Sequence, residues 1–211
     1  MDRSENDWHS ETISEDVEQT LDALQEVPIA ARFYLAGGTG LALQLGHRRS
    51  VDLDFFLSED FDVELVIQKV QGLQQFALVS KSPGTIYANI GATKVSFIAY
   101  VYPILFPLQR FHSADVADPR DISCMKLSAI ASRGTKRDFI DLYVLAQRYG
   151  LEQLLTWFQN KYSQAHYSMV HVLKSLAYFE DAERDPMPDM LIGLSWPEVR
   201  EYFTRQVTKL L

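Results

Sequence analysis

The chain is most tightly constrained between Phe33 and Phe56, FYLAGGTGLALQLGHRRSVDLDFF. Phe33 to Ala36 is short and apolar and runs into Gly37-Gly38, the pattern of a buried strand meeting a tight turn. Thr39 to Leu45 then supplies Leu41, Ala42 and Leu45 for a short helix, and Val51 to Leu57 returns as a strand. The unit is strand, Gly-Gly turn, helix, strand, and the part of the chain that contains it is expected to be α/β.

Two aspartates interrupt the returning strand. Residues two apart on a strand face the same way, so Asp52 and Asp54 project together with Cα atoms roughly 6.5–7 Å apart, while Val51, Leu53 and Phe55 are expected to face the core. Two ionised carboxylates aimed at one place repel each other and lose solvation, which calls for a cation. Mg²⁺ answers that need, because it takes oxygen ligands and is commonly held by one or two carboxylates plus substrate phosphates. Two aspartates solvated at a strand edge are the plainer alternative. Likewise, glycines at a strand-to-helix turn let backbone N–H groups approach a phosphate at the positive end of a helix, or else they only make a turn.

The rest of the chain divides by pattern. Thr12 with Glu15 offers a capping box for a helix bearing Val17, Leu21 and Leu24 and ending near Pro28, after first residues that look frayed. Glu59 to Gln75 reads as a helix with Phe61, Leu65, Val66, Val70 and Leu73 on its stripe. Strand-like runs follow around Phe76–Lys81, Thr85–Ile90 and Thr93–Tyr100, separated by the hairpin signals Ser82-Pro83-Gly84 and Asn89 to Gly91. From Asp121 onward nearly every segment reads as helix: Ile122–Ser132, Phe139–Tyr149, Leu151–Asn160 and Tyr167–Phe179. A last helix is announced by the capping box Ser195-Trp196-Pro197-Glu198, after a surface loop at Asp181–Met190. The expected organisation is an α/β core with its N-terminal helix over residues 1–118 and a helical region over 119–211 that completes the active site.

Composition narrows the function. A formal charge of −8 argues against a surface that grips nucleic acid everywhere, so contact with an anionic substrate must be concentrated. The single cysteine, Cys124, rules out an internal disulfide and sits in an apolar helical pattern that suits burial. His9, His112, His166 and His171 show no metal-ligand spacing. The polar N-terminus lacks a signal-peptide core, and no run reaches the roughly 18 apolar residues of a membrane span. A cytoplasmic chain with no membrane partner is expected.

Gly-Gly-Thr, a helix, and Asp-Leu-Asp on the returning strand resemble the pattern of the polymerase β-like nucleotidyltransferase superfamily. More narrowly, YLAGGTGLALQLGHRRSVDLDFF is similar to the AbiEii/AbiGii toxin family of nucleotidyltransferases. DISCMKLSAIASRGTKRDFIDLYVL resembles the second block of that family, a lysine-bearing helix, an arginine turn and a helix opened by acidic residues. The resemblance covers about Phe33 to Leu145. It implies an α+β fold, a polymerase β-like core with a mixed sheet followed by a helical C-terminal region.

The resemblance also implies a chemistry. Asp52 and Asp54 would hold Mg²⁺ or Mn²⁺, and Gly37, Gly38 and Thr39 would cradle the triphosphate of an NTP. An acceptor hydroxyl on an RNA, such as a tRNA, or on a protein would attack the α-phosphorus with release of pyrophosphate. The chain would be the toxin of a toxin–antitoxin or phage-defence system, restrained by a cognate antitoxin protein. Lys126 shares a helix face with Ile122 and Ile130; alone it would pass for a snorkelling lysine, and the resemblance makes it a phosphate contact. Arg133, Lys136 and Arg137 would supply the concentrated basic patch. Asp138 and Asp141 suit the start of a helix, and the resemblance favours Asp141 as a site residue that orients Lys126 or Arg133. Arg49 stands where the family keeps a basic residue, either as a partner of Asp54 or phosphate or simply solvated.

One departure stands out. Ser96, in TKVSFIAY, occupies the position where many relatives place a third carboxylate that activates the acceptor hydroxyl. Asp141 or Asp121 would take over that task, or two carboxylates suffice, or turnover has been lost and the fold survives as a nucleotide-binding or protein-interaction module. A phosphatase of the haloacid dehalogenase type would also use Asp-Leu-Asp, but Phe55-Phe56 stands where a Gly-Thr is usual.

Overall fold

In a computed structural model, residues 8–165 and 167–210 are described. The expected fraying of the first residues and the roleless His166 lie outside them. The chain divides into two units, Met1–Asp118 and Pro119–Leu211.

Among the described residues, the first unit is a seven-stranded sheet with three α-helices and two short 3-10 turns. Its elements in chain order are α1 (Glu15–Gln25), β1 (Tyr34–Leu35), α2 (Gly37–Leu45), β2 (Asp52–Leu57), α3 (Val63–Val70), β3 (Phe76–Ser82), β4 (Thr85–Ile90), β5 (Thr93–Ala99), β6 (Gln109–Phe111) and β7 (Ala114–Val116). The sheet is mixed, in the order β3-β4-β5-β2-β1-β7-β6. β2 pairs antiparallel with β1 and parallel with β5, which puts the aspartate strand in the interior of the sheet. The α+β architecture implied by the resemblance is therefore the observed one.

Alternation along β2 does what the period of two requires. Leu53 and Phe55 are fully buried, while Asp52 and Asp54 are half-buried on the opposite face. Phe55 stacks on Phe97 at 5.5 Å, and Phe33 meets Phe97 edge-on at 5.1 Å. Val17, Leu21 and Leu24 of α1 and Val66 and Val70 of α3 close the same core. Burial of each such side chain contributes roughly 1.5–3 kcal/mol, so this layer holds β2 in place beneath the charged pair. Val51 departs from expectation. It is 58% exposed, because it lies one residue before the strand begins and its backbone has not yet entered the alternation.

Local signals explain the other boundaries. Ser14, not Thr12, caps α1, accepting from the Val17 N–H at 3.4 Å; Thr12 is buried and its hydroxyl is held by the His9 carbonyl. The helix expected over Glu59–Gln75 is shorter because Asp62 caps it, accepting from the Leu65 N–H at 3.1 Å.

The second unit is helical: α4 (Pro119–Arg133), α5 (Lys136–Tyr149), α6 (Leu151–Lys161), α7 (Met169–Ser175), α8 (Glu180–Glu183) and α9 (Trp196–Leu210). Its core gathers Ile122, Leu127, Phe139, Leu142, Phe158 and Phe203. A fully buried ion pair, Lys161 Nζ to Asp121 Oδ1 at 2.7 Å, fastens α6 to α4. Among the described residues no helix is long and apolar enough to cross a membrane.

Candidate active site

Asp52 and Asp54 open onto a cleft of about 430 Å³ over β2, β5, β4 and β3, lined also by Ser96, Lys94, Asn89, Tyr87, Ser80 and Val79. The register places side chains in rows across the strands. Asp54 stands opposite Ser96, and Ser96 opposite Tyr87; Asp52 stands opposite Lys94, and Lys94 opposite Asn89. Ser96 Oγ donates a hydrogen bond to Asp54 Oδ1 at 2.6 Å. The serine therefore fixes the orientation of one carboxylate, and Asp54 is the single acid of its row.

Helix α2 begins against the same carboxylate. Gly37 has φ +62°, and a Cβ there would lie 2.6 Å from Asp54 Oδ2, so only glycine brings the backbone this close to the acid. No side chain caps α2 at Ala36, and the first intrahelical donor is the Gly40 N–H, which bonds to the Ala36 carbonyl. The N–H groups of Gly37, Gly38 and Thr39 thus stand at the positive end of the helix without intrahelical acceptors. The Thr39 hydroxyl faces inward, bonded to Ser50 Oγ at 2.8 Å and to the Asp52 carbonyl, and it clamps the first helical turn to the start of β2. What Thr39 has to offer an anion is its backbone N–H.

Arg48, not singled out by the sequence pattern, packs its guanidinium on Gly38, where a Cβ would strike Nη2; its Nη1 also donates to the Arg49 carbonyl at 2.9 Å. Arg48 is buried, whereas Arg49 is exposed. The signal available was Gly38 itself, since a glycine inside a helix is costly unless something must pass close to it.

In the second unit, Lys126 Nζ lies 2.7 Å from Asp141 Oδ2 and 2.9 Å from Asp138 Oδ1, all three largely buried. Asp138 has two tasks. Its other oxygen accepts from the Thr135 hydroxyl at 2.6 Å and from the Thr135 N–H, closing the capping box that starts α5. The Arg133 and Arg137 side chains are exposed. Lys136 is not part of a basic patch: it is buried over the Trp196 ring at 5.2 Å and donates to the Asp185 carbonyl. The geometry also removes Asp121 as a substitute acid, because its carboxylate is sealed against Lys161.

Residues 19–104 and 96–209 match the family described as nucleotidyl transferase AbiEii toxin, Type IV TA system. The chain belongs to the AbiEii family of nucleotidyltransferase toxins. An uncharacterised protein of Aquifex aeolicus (strain VF5) is 36% identical over 199 residues, covering 92% of this chain and 95% of the relative. Among solved structures, MenT4, the nucleotidyltransferase toxin Rv2826c from Mycobacterium tuberculosis H37Rv, is similar with TM-score 0.58 and 16% identity over 92% of this chain and 82% of its own. JHP933 from Helicobacter pylori is similar with TM-score 0.52 and 17% identity over 94% of this chain and 97% of its own. At such identities these two structures bear on the fold, and the AbiEii membership rests on the sequence match.

Proposed function

We propose that this chain is a metal-dependent nucleotidyltransferase that moves a nucleotide from an NTP to a hydroxyl of an RNA or a protein. The observation that carries this is the convergence of Asp52 and Asp54 with the uncapped start of α2 at Gly37. Carboxylates and helix-terminal N–H groups have opposite needs, and an NTP with a divalent cation satisfies both. In the transfer, the acceptor oxygen bonds to the α-phosphorus, the bond from that phosphorus to the β-bridging oxygen breaks, pyrophosphate leaves, and the hydroxyl proton passes to water.

Asp52 and Asp54 suit Mg²⁺ or Mn²⁺, being hard oxygen donors on one face of a strand, although among the described residues they form no cluster of three or more acidic, histidine or cysteine side chains. When bound, such an ion supplies neutralisation of phosphate charge. The chain's own residues position the reactants. Gly37, Gly38 and Thr39 present backbone N–H groups, Arg48 adds a buried cation at Gly38, and Arg49 adds an exposed one nearby in sequence. In the second unit, Lys126, held by Asp138 and Asp141, and the exposed Arg133 and Arg137 are assigned to anion binding. Membership of a toxin family supports a cognate antitoxin as partner, action in the cytoplasm and a role in phage defence.

Incubation with each of the four labelled NTPs, Mg²⁺ and either total RNA or cell protein tests the proposal. Label should move to one acceptor class with one preferred nucleotide; no transfer by folded protein would sink it. Ser96 favours one alternative, a module that binds NTP through Asp52 and Asp54 without turnover, which would bind nucleotide and release no pyrophosphate.

A further inference from the structure

The cleft extends well past the carboxylates, and in one direction only. β1, which leads into α2, flanks β2 on one side, and β5, β4 and β3 continue the sheet on the other. Gly37 crowds Asp54 from the α2 side, so the phosphate-binding start of the helix and the open floor of the cleft lie on opposite sides of the aspartates. Tyr87 is two strands beyond Asp54 in the same row, about 10 Å at ordinary strand spacing, within reach of one nucleotide.

That floor is built unlike the core face. Tyr87 is 47% exposed and Val79 62% exposed. Val79 is the extra residue of a β-bulge, since Leu78 pairs with Ala88 and Ser80 with Tyr87, and it lines the same cleft as Tyr87. Asn89, one row over, offers an amide donor and acceptor, and the exposed Lys94 sits between Asn89 and Asp52. An open aromatic face, an edge-reading amide and a single cation are the elements that hold an unpaired nucleotide. Base stacking uses an aromatic face whatever the base, and in a chain of charge −8 a local lysine is the kind of concentrated contact that an RNA end requires.

We propose that Tyr87, Asn89 and Lys94 form the acceptor subsite, which seats the terminal nucleotide of a single-stranded RNA with its base stacked on Tyr87. The assignment rests on the nucleotidyltransferase reading and names the acceptor class within it. The subsite makes and breaks no bond; it positions the hydroxyl toward Asp54.

The test is equilibrium binding, independent of turnover, of a fluorescein-labelled single-stranded RNA hexamer of mixed sequence by anisotropy. Tyr87→Ala should weaken binding about five- to hundredfold, the range of base–aromatic stacking, with Tyr87→Phe close to wild type. Lys94→Ala should lower the slope of log affinity against log salt by about 0.7, one phosphate contact on a single strand. ATP binding should be unchanged in all three, and because these side chains line an open cleft their melting temperatures should match the wild type. Hexamer binding that is absent, or equal in wild type and Tyr87→Ala, overturns the proposal. So does a parallel loss of ATP affinity, which would put the base of the incoming nucleotide on Tyr87. Failure of the nucleotidyltransferase reading is distinguished by label transfer, which would then be absent even where the hexamer binds through Tyr87.

Discussion

The Ser96 hydroxyl donates to Asp54 Oδ1 at 2.6 Å across the parallel pairing of β2 with β5. A serine at this position is a poor base, but it is a good orienting group, because its single proton fixes which oxygen of Asp54 faces the cleft. Ser96→Ala should therefore lower transfer and Mg²⁺ affinity about 10- to 100-fold while the fold survives, as loss of a group that orients a metal ligand typically does. Steady-state transfer rates across a Mg²⁺ titration check it.

Gly37 and Asp54 share one space. Gly37→Ala places a Cβ 2.6 Å from Asp54 Oδ2 at φ +62° and should cost about 1–2 kcal/mol in backbone strain alone, with the carboxylate displaced as well. A lowered denaturation midpoint together with lost transfer is the expected result, read by urea unfolding and the transfer assay.

Lys126 supports the fold as well as any chemistry. Removing its ammonium by Lys126→Ala leaves Asp141, whose side chain is fully buried, without that cation and should cost about 3–5 kcal/mol. Lys126→Met combined with Asp141→Asn should recover much of the loss in urea denaturation. Inactivity of the single variant is thus informative only beside its stability.

Burial pushes the Cys124 thiol up from 9.0 to about 12, so the folded chain keeps that proton where the unfolded chain has released it. The group's contribution to stability is fully present below about pH 9 and is lost as pH climbs toward 12. Iodoacetamide should leave Cys124 unmodified in native protein at neutral pH and alkylate it in urea, followed by mass spectrometry.

Most of the fold was legible because its signals are local. Hairpin punctuation at Ser82-Pro83-Gly84 and Asn89 to Gly91 located β3, β4 and β5 to within a residue, and helical periodicity located α4, α5 and α6. The strands β6 and β7 escaped notice because three residues carry too little alternation to detect. That Asp52 and Asp54 share one face of β2 was legible from the strand period. Arg48 was not, since in an irregular turn neither period says which of two adjacent arginines faces inward. Lys136 was misread for a related reason: a basic cluster in sequence does not reveal that one member is buried against Trp196, some sixty positions later.

The central claim is that nucleotide transfer depends on the paired carboxylates of β2. Label transfer from each NTP by wild type, Asp52→Asn and Asp54→Asn, with unfolding midpoints measured alongside, tests it most directly. Both variants keep the size of the side chain and an acceptor oxygen, so both should unfold close to the wild-type midpoint, and both should transfer no label. Transfer by either variant at the wild-type rate would contradict the account.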